Sequence, residues 1–528
     1  MTASKIVTAA DAVARIPDGA TVAIGGTGAV LEADLVIEAL EQRFLATGHP
    51  RDLTLFSPML TGDRPGVGGM NCFAHEGMTR RVIGASFSTQ RHPRLVEMIR
   101  GGRFEAYTVS MGAMIQLLTA ASAGKPGVFT TAGIGSYLDP RVEGGRMNDR
   151  SVSPPVRVER LDGREYLYYP TVPIDVAIVR GTTADENGYI SFEEEPNTLG
   201  MAELAAAAHA CGGYVIAQVK RVARAGSLDP RLVRIPGPQV DAIVVHPAQM
   251  QVSASMADPL HGWNPALAGA MKHPLRDMPR VADGPDRIIL RRAALQLRSG
   301  DVINVGAGVA THLPRIALEE GVLDRVTFTN EHGIFGGLMA TAIGGSFVPA
   351  LNADAIMDSV SQFNFYDGGG LDVAFLGIGQ VDAQGNVNVS NFGRESNGTG
   401  GFPNITDRTR RIVFCGALTA GGLQVAIEQG RLVIRQEGRI RKFLAAVEQI
   451  TLSGAHAHAK GQEVLYVTER AVFRLGAGSI ELAEIAPGID LDTQVRAVVG
   501  FDLKLAPDLR TMDPRIFAAA PLGLATTL

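Results

Sequence analysis

Asp175-Val176-Ala177-Ile178, followed by Asp185-Glu186-Asn187-Gly188-Tyr189-Ile190, is written a second time in this chain. The second copy is Asp372-Val373-Ala374-Phe375, followed by Asp382-Ala383-Gln384-Gly385-Asn386-Val387. The offset is 372 − 175 = 197 at the first Asp and 385 − 188 = 197 at the glycine. It also lays Tyr214-Val215-Ile216-Ala217 over Arg411-Ile412-Val413-Phe414. Each copy reads as a strand, an Asp-x-x-Gly turn, a second strand, a glycine-rich or helical stretch, and a third strand. Apolar strands broken by helices imply parallel sheets with both faces covered.

Upstream of each copy the pattern extends. Thr21-Val22-Ala23-Ile24 is a buried-type strand ending in Gly25-Gly26-Thr27-Gly28, with a helix expected over residues 35–44 and a strand at Leu53-Thr54-Leu55-Phe56. Strand, glycine turn, helix opens a βαβ unit. Its counterpart is Val302-Ile303-Asn304-Val305, then Gly306-Ala307-Gly308, a helix through Ile316 and Ala317, and a strand from Val326. Gly19 matches Gly300 and Gly25 matches Gly306, both at 300 − 19 = 281. The expected fold is therefore α/β: two tandem homologous domains with largely parallel sheets covered by helices, residues 1–280 and 281–528. Residues 272–286, with Pro274, Pro279, Gly284 and Pro285 among charges, have linker composition.

The first domain carries 281 − 197 = 84 additional residues, over about 61–157. That is too long for a bare loop in a compact domain, and 109–121 reads as a helix within it. A short amphipathic helix is expected over 4–16. Near the other end, Glu463-Val464-Leu465-Tyr466-Val467-Thr468 and Ala471-Val472-Phe473-Arg474-Leu475 read as paired strands, and 491–498 as helical.

The composition bounds the function. Of 528 residues, 46% are hydrophobic and 20% charged, ordinary for a soluble enzyme. A net charge of −5 gives no electrostatic case for nucleic acid or an anionic membrane. Cys72, Cys211 and Cys415 are scattered, which suits a reducing cytosol. Met1-Thr2-Ala3-Ser4-Lys5 does not read as a signal peptide. The apolar run over 204–219 is interrupted by His209, Gly212 and Gly213 and is too short to span a bilayer. A cytoplasmic location is expected. The first glycine turn is no dinucleotide fingerprint, because Leu31 stands where the third glycine belongs. His456 and His458 would share a face if they lay on a strand, but no carboxylate or cysteine cluster accompanies them, so no metal site is expected. Glu193-Glu194-Glu195 reads as a solvated loop, and Trp263 as a packing residue near the domain join.

One carboxylate stands out. In Val326-Thr327-Phe328-Thr329-Asn330-Glu331-His332-Gly333-Ile334-Phe335-Gly336-Gly337, a strand runs into a glycine-rich turn and Glu331 stands where the strand stops. Strand ends in α/β sheets are where ligands sit. Such a carboxylate can be a nucleophile or a base; it can also merely pair with an Arg or cap a helix, and the stretch alone leaves these open.

Beyond this stretch, further segments carry a resemblance. They are Ala123-Gly124-Lys125-Pro126-Gly127-Val128-Phe129-Thr130, Leu138-Asp139-Pro140-Arg141, Glu143-Gly144-Gly145 with Met147-Asn148, Asn330-Glu331-His332-Gly333, and Gly400-Gly401-Phe402 with Asn404-Ile405-Thr406. Val413-Phe414-Cys415-Gly416, Thr419-Ala420-Gly421-Gly422, residues 465–473 and Glu484-Ile485-Ala486-Pro487-Gly488-Ile489-Asp490-Leu491 continue the series. With these, nearly the whole chain resembles the family I coenzyme A transferases, and within them the single-chain acetate/propionate (acyl-CoA:acetate or 3-ketoacid) type. Three positions depart from that pattern. Gly25-Gly26-Thr27 replaces Gly-Gly-Phe, Leu31-Glu32-Ala33 stands where a Pro is usual, and Met111-Gly112 replaces Gln-Gly. These are expected near the acyl or carboxylate pocket and bear on the substrate rather than the reaction.

The resemblance implies transfer of CoA from an acyl-CoA to a free short-chain carboxylate, with ping-pong kinetics and a glutamyl-CoA thioester on Glu331. Coenzyme A is then substrate and covalent intermediate, no cofactor is permanently bound, and the enzyme is a homodimer or homotetramer. The N–H of Gly400 or Gly401, ahead of a helix start at Pro403-Asn404, is the expected oxyanion donor. Gly306 and Gly308, Gly377 and Gly379, and Asn330 are the expected contacts to CoA, while His332 is expected to position rather than to transfer protons. Neighbouring backbone N–H groups are expected to keep Glu331 ionised despite burial. Two competing readings stand beside this one: an acyl-CoA hydrolase on the same fold, and a metabolite sensor, which would need an output module that the sequence does not display.

Overall fold

The computed structural model describes all residues except 1–3, 29, 63–65, 253–262, 344–346 and 394, so the first three residues of the N-terminal stretch lie outside it. Two large sheets dominate. In the first, seven parallel strands run in the order Ala242–Val245, Tyr214–Ala223, Val176–Asp185, Thr21–Ile24, Leu53–Ser57, Thr79–Gly84, Glu105–Thr108. In the second, Glu463–Val467, Arg411–Cys415, Val373–Gly377, Val302–Val305 and Thr327–Asn330 are parallel and adjacent in that order. The five strands of the second follow the same order as the first five of the first, so the duplication in sequence is a duplication in topology.

The repeated residues do the same work in both copies. Asp175 Oδ2 accepts the N–H of Thr21 at 2.8 Å, and Asp372 Oδ2 accepts that of Val302 at 2.9 Å. Each Asp thereby ties the start of one strand to its neighbour. Asp185 Oδ1 accepts from the N–H groups of Asn187 and Tyr189, and Asp382 Oδ1 from those of Gln384 and Asn386. The turn then needs a left-handed residue, met by Gly188 at φ 92° and Gly385 at φ 77°. All ten residues of Val176–Asp185 are buried, as expected for a central parallel strand covered on both faces.

The halves differ where the first is longer. After Leu53–Ser57 the chain adds two more parallel strands and the helices Pro93–Arg100 and Met111–Ser122, whereas Thr327–Asn330 is followed directly by the antiparallel Ile334–Phe335. A separate antiparallel sheet of Gly127–Thr130, Arg164–Pro170 and Arg157–Leu161 completes that region. One hydrophobic core runs through the seam between the sheets, joining Met114 and Met201 to Phe363, Phe402 and Tyr466. The paired strands Glu463–Val467 and Ala471–Leu475 are antiparallel as expected.

Several local expectations need correction. The first helix spans only Ala9–Ala14, capped by the Thr8 side chain. Residues 491–498 form a short helix, Leu491–Gln494, and then a 3-10 turn. His456 and His458 lie on the helix Gly454–Ala459, where i and i+2 point to different faces. Glu193-Glu194-Glu195 is no solvated loop. Glu195 is buried against Arg180 with Nε–Oε1 3.3 Å, Glu194 takes Lys220 and Arg221, and Glu193 accepts from Thr183 and Ser191. The run is a latch of carboxylates across strand ends, which a reading by charge alone misses. Trp263 is 49% exposed and so is not a core packing residue. Among the described residues no helix is long and apolar enough to cross a membrane.

Candidate active site

Glu331 is the first residue after the strand Thr327–Asn330, at the C-terminal end of its sheet. Its neighbours build the turn that projects it. Asn330 is fully buried, its Nδ2 donating to the carbonyl of Val348 at 3.1 Å and its Oδ1 accepting the N–H of His332 at 3.0 Å. Gly333 has φ 92°, and a side chain there would overlap the Met357 carbonyl. The expectation that Asn330 contacts CoA is therefore corrected: its hydrogen-bonding groups are spent holding the turn, and it faces the interior. His332 is buried and pushed down to about 3 by desolvation, and its carbonyl accepts from Asn197 of the first half at 2.8 Å. A neutral imidazole anchored in this way fits the positional role.

Glu331 opens on a cavity of about 610 Å³. Three glycine turns wall it: Gly306-Ala307-Gly308, Gly377-Ile378-Gly379 and Gly398-Thr399-Gly400-Gly401. The expected Gly306, Gly308, Gly377, Gly379, Gly400 and Gly401 are thus brought together around Glu331. Their reasons for being glycine differ. A side chain at Gly306 would strike Leu376 at 2.8 Å, and one at Gly379 would overlap the Asn388 carbonyl, so packing accounts for both. Gly308 stands in open space at φ 92°.

The two expected oxyanion donors also separate. The N–H of Gly400 donates to the Ala85 carbonyl at 2.8 Å and is occupied. That of Gly401 has no acceptor among the described residues, and Gly401 packs directly on the nucleophile candidate. A Cβ built there would lie 3.3 Å from both Cβ and Cγ of Glu331.

The expectation that backbone N–H groups hold Glu331 ionised is also corrected. Oε2 is enclosed with no hydrogen-bond partner among the described residues. Burial pushes the carboxyl up to about 7, offset in part by its own backbone N–H and by Asn304. Beneath it runs a layer that sequence reading missed. The Tyr366 hydroxyl sits 2.8 Å from Thr329 Oγ1 and accepts from Asn304 Nδ2 at 3.0 Å. Ser86, Ser88 and Gln90 of the first half, with Glu395 and Asn397 of the second, also line the cavity and were not singled out. No local pattern marks them; they are loop residues gathered from distant segments.

A raised carboxyl has a definite consequence for stability. Unfolded, the group ionises near 4.5; folded, near 7. Between these values the unfolded chain binds fewer protons, so stability falls as pH rises through that window and levels off above it. Glu331→Gln removes the cost of ionising a buried carboxyl. The variant is expected to be more stable than the unsubstituted protein at pH 8 by about 2–3 kcal/mol, and no more stable at pH 4.5. Urea unfolding at the two pH values measures the difference; equal stabilities at pH 8 would contradict it.

A family model described as coenzyme A transferase matches residues 6–246. The acetate CoA-transferase YdiF of Escherichia coli (strain K12) is 38% identical over 98% of this chain and 96% of its own. The caffeate CoA-transferase of Acetobacterium woodii is 38% identical over 99% of both chains. Among solved structures, a thioester complex with CoA of the acyl-CoA transferase YdiF from E. coli O157:H7 matches with a TM-score of 0.91. That match has 37% identity and covers 98% of this chain and 97% of that one.

Proposed function

The chain belongs to the coenzyme A transferase family and is a CoA-transferase, and from that premise we propose that Glu331 is the nucleophile on which CoA is carried as a thioester. The observation that supports the assignment is the packing at the cavity: Glu331, with an enclosed, unpartnered carboxylate oxygen, lies directly against Gly401, whose N–H has no acceptor among the described residues.

The steps balance as follows. A Glu331 carboxylate oxygen attacks the acyl-CoA carbonyl carbon, the C–S bond breaks, and CoA leaves as thiolate, giving a mixed anhydride. The thiolate attacks the Glu331 carbonyl carbon, the anhydride C–O bond breaks, and the first carboxylate departs. Glu331 now holds CoA as a thioester. An acceptor carboxylate repeats both steps in reverse, and no net proton is moved. Desolvation is the device that makes a carboxylate reactive: an anion with few hydrogen bonds is a better nucleophile. Each tetrahedral step builds an oxyanion, and the Gly401 N–H is the donor we assign to it. The turns at Gly306-Ala307-Gly308 and Gly377-Ile378-Gly379 would flank the pantetheine arm.

The substrates in this reading are an acyl-CoA and a small carboxylic acid, the location is cytoplasmic, and the assembly is a homodimer or homotetramer, which light scattering would measure. The test is acceptor dependence. With acetyl-CoA as donor, its steady conversion to the acceptor's CoA ester is expected only when a carboxylate such as propionate is added, with parallel double-reciprocal plots. Steady release of free CoA without an acceptor would instead make the protein a hydrolase. A second expectation follows from the raised carboxyl. Only ionised Glu331 attacks, so kcat/KM is expected to rise about tenfold per pH unit below 7 and to level above it. A profile flat from pH 5.5 to 8 would remove Glu331 from the role.

A further inference from the structure

The loop that carries Gly401 belongs to the second half by sequence but is hydrogen-bonded to the first. Asn397 accepts from the N–H of Phe87 at 2.6 Å, Gly400 donates to Ala85, and the Gly400 carbonyl accepts from Met111 at 2.9 Å. Gly398, at φ 68°, lies so close that a Cβ would come within 2.5 Å of the Ala85 carbonyl. These contacts set the loop along strand ends of the first sheet. The hydrogen bond from Met111 also orients the Gly401 N–H, because the Gly400 carbonyl and the Gly401 N–H share one planar peptide; what these contacts do not set is the helix Phe402–Arg408 that follows Gly401.

One side chain does. Asn404, 1% exposed, spans the seam. Its Oδ1 accepts the N–H of Gly112 at 3.1 Å, and its Nδ2 donates to Asp367 Oδ1 at 2.9 Å. Asp367 Oδ2 in turn accepts from Gln116 Nε2 at 2.8 Å. The clasp thus joins one turn near the start of the helix Met111–Ser122, Gly112 to Gln116, to the end of the helix Ser359–Asp367 and the start of the helix Phe402–Arg408. Gly112 is part of the arrangement, because a side chain there would overlap the Asn404 amide. The same helix Ser359–Asp367 supplies Phe363, whose ring lies 3.4 Å from a Cβ built at Gly401. Every polar atom of the Asn404 amide that the clasp uses has a direction: one side must accept and the other must donate. Asp407 and Arg408 act on Asp367 through their charges, one opposing and one favouring its ionisation.

We propose that Asn404 is a positioning residue for the transferase reaction: through the Gly112–Asn404–Asp367–Gln116 clasp it holds the helix start beyond Gly401, and so, together with the Met111–Gly400 hydrogen bond, keeps the Gly401 N–H on the oxyanion at Glu331. The proposal rests on the reading of Glu331 and Gly401 given above. It distinguishes three substitutions that differ only by an amide or acid group. Asp367→Asn is expected to be nearly silent, because the half-buried Gln116 amide can turn to present its oxygen. Asn404→Asp sets two carboxylates face to face and removes the donor, so the clasp opens. Asn404→Asp combined with Asp367→Asn restores every hydrogen bond with acid and amide exchanged.

The experiment is single-turnover formation of the CoA adduct from acetyl-CoA, followed by mass spectrometry, with steady-state constants and thermal midpoints beside it. Asn404→Asp is expected to slow adduct formation and lower kcat by about 10²-fold, the cost typical of losing one oxyanion donor, with KM for acetyl-CoA little changed. The double variant is expected to regain at least tenfold of that rate. An Asn404→Asp rate within twofold of the unsubstituted protein overturns the proposal. So does a double variant that regains the thermal midpoint but not the rate. Absence of any adduct in the unsubstituted protein would instead overturn the Glu331 reading itself, so the two failures are distinguishable.

Discussion

Glu331→Ala mixed with acetyl-CoA is expected to carry no CoA, while the unsubstituted protein gains a CoA mass on the peptide holding Glu331 and loses it on addition of acetate. Transfer is expected to fall by at least about 10⁴-fold, the scale on which loss of a covalent nucleophile is felt. The physical reason is that nothing nearby can substitute. Asn330 is turned inward to the Val348 carbonyl, His332 is buried and held neutral, and the Tyr366 hydroxyl is engaged with Thr329 and Asn304. Glu331→Asp tests distance separately from charge, since the carboxylate is kept but drawn back by one methylene toward its own backbone. Residual transfer near the unsubstituted rate in Glu331→Ala, or an adduct mapped to another peptide, would remove the assignment.

The second large effect is on stability and lies far from the cavity. Arg470 is fully buried in the turn between Glu463–Val467 and Ala471–Leu475. Its guanidinium meets Glu437 at 2.7 and 3.0 Å, the Gln494 carbonyl at 3.1 Å, and Glu469 through Nε. Glu469 is itself wholly buried and also accepts the N–H of Leu418 at 2.9 Å. Arg470→Ala therefore leaves Glu469 in the interior without its hydrogen-bonded guanidinium, with Lys442 as a more distant cation. The expected loss is about 3–5 kcal/mol, because breaking a buried pair costs more than the pair itself contributes. Arg470→Met with Glu469→Gln removes both charges and should recover much of that loss. Arg470→Lys keeps the charge without the planar fork and should fall between. Urea unfolding of the three variants decides the matter; a loss below about 1 kcal/mol in Arg470→Ala would show that the pair is dispensable.

The sites differ in how far they could be read beforehand. The position of Glu331 at a strand end was legible, because a strand and a glycine turn are local features with local patterns. The glycine turns were legible as turns, and the structure gathers all three around Glu331. Their chemistry was not. Gly400 and Gly401 are identical in sequence terms, and only the occupation of the Gly400 N–H by Ala85 separates them. Asn330 sits next to the nucleophile candidate in sequence yet faces the other way, since successive residues at a strand end point to opposite sides. The ionisation of Glu331 was misjudged for a related reason: nearby glycines supply N–H groups, but whether any of them faces Oε2 is a question of direction, and none does.

By itself the sequence determined the duplicated frame of this protein. The offsets of 197 and 281 place the repeated Asp residues, the turn glycines and the strands at Val22, Val176 and Val215 in both halves, and the structure uses the Asp and glycine positions in the same way. That frame is local: an Asp-capped turn and an apolar strand are specified by a few neighbouring residues. Only the tertiary structure decided how the two frames meet. The cavity, the free N–H at Gly401 and the clasp through Asn404 all depend on contacts between segments almost 300 residues apart, such as Asn404 with Gly112. Such contacts leave no periodicity and no motif in either segment, because each partner is an ordinary loop or helix residue until the seam between the sheets closes.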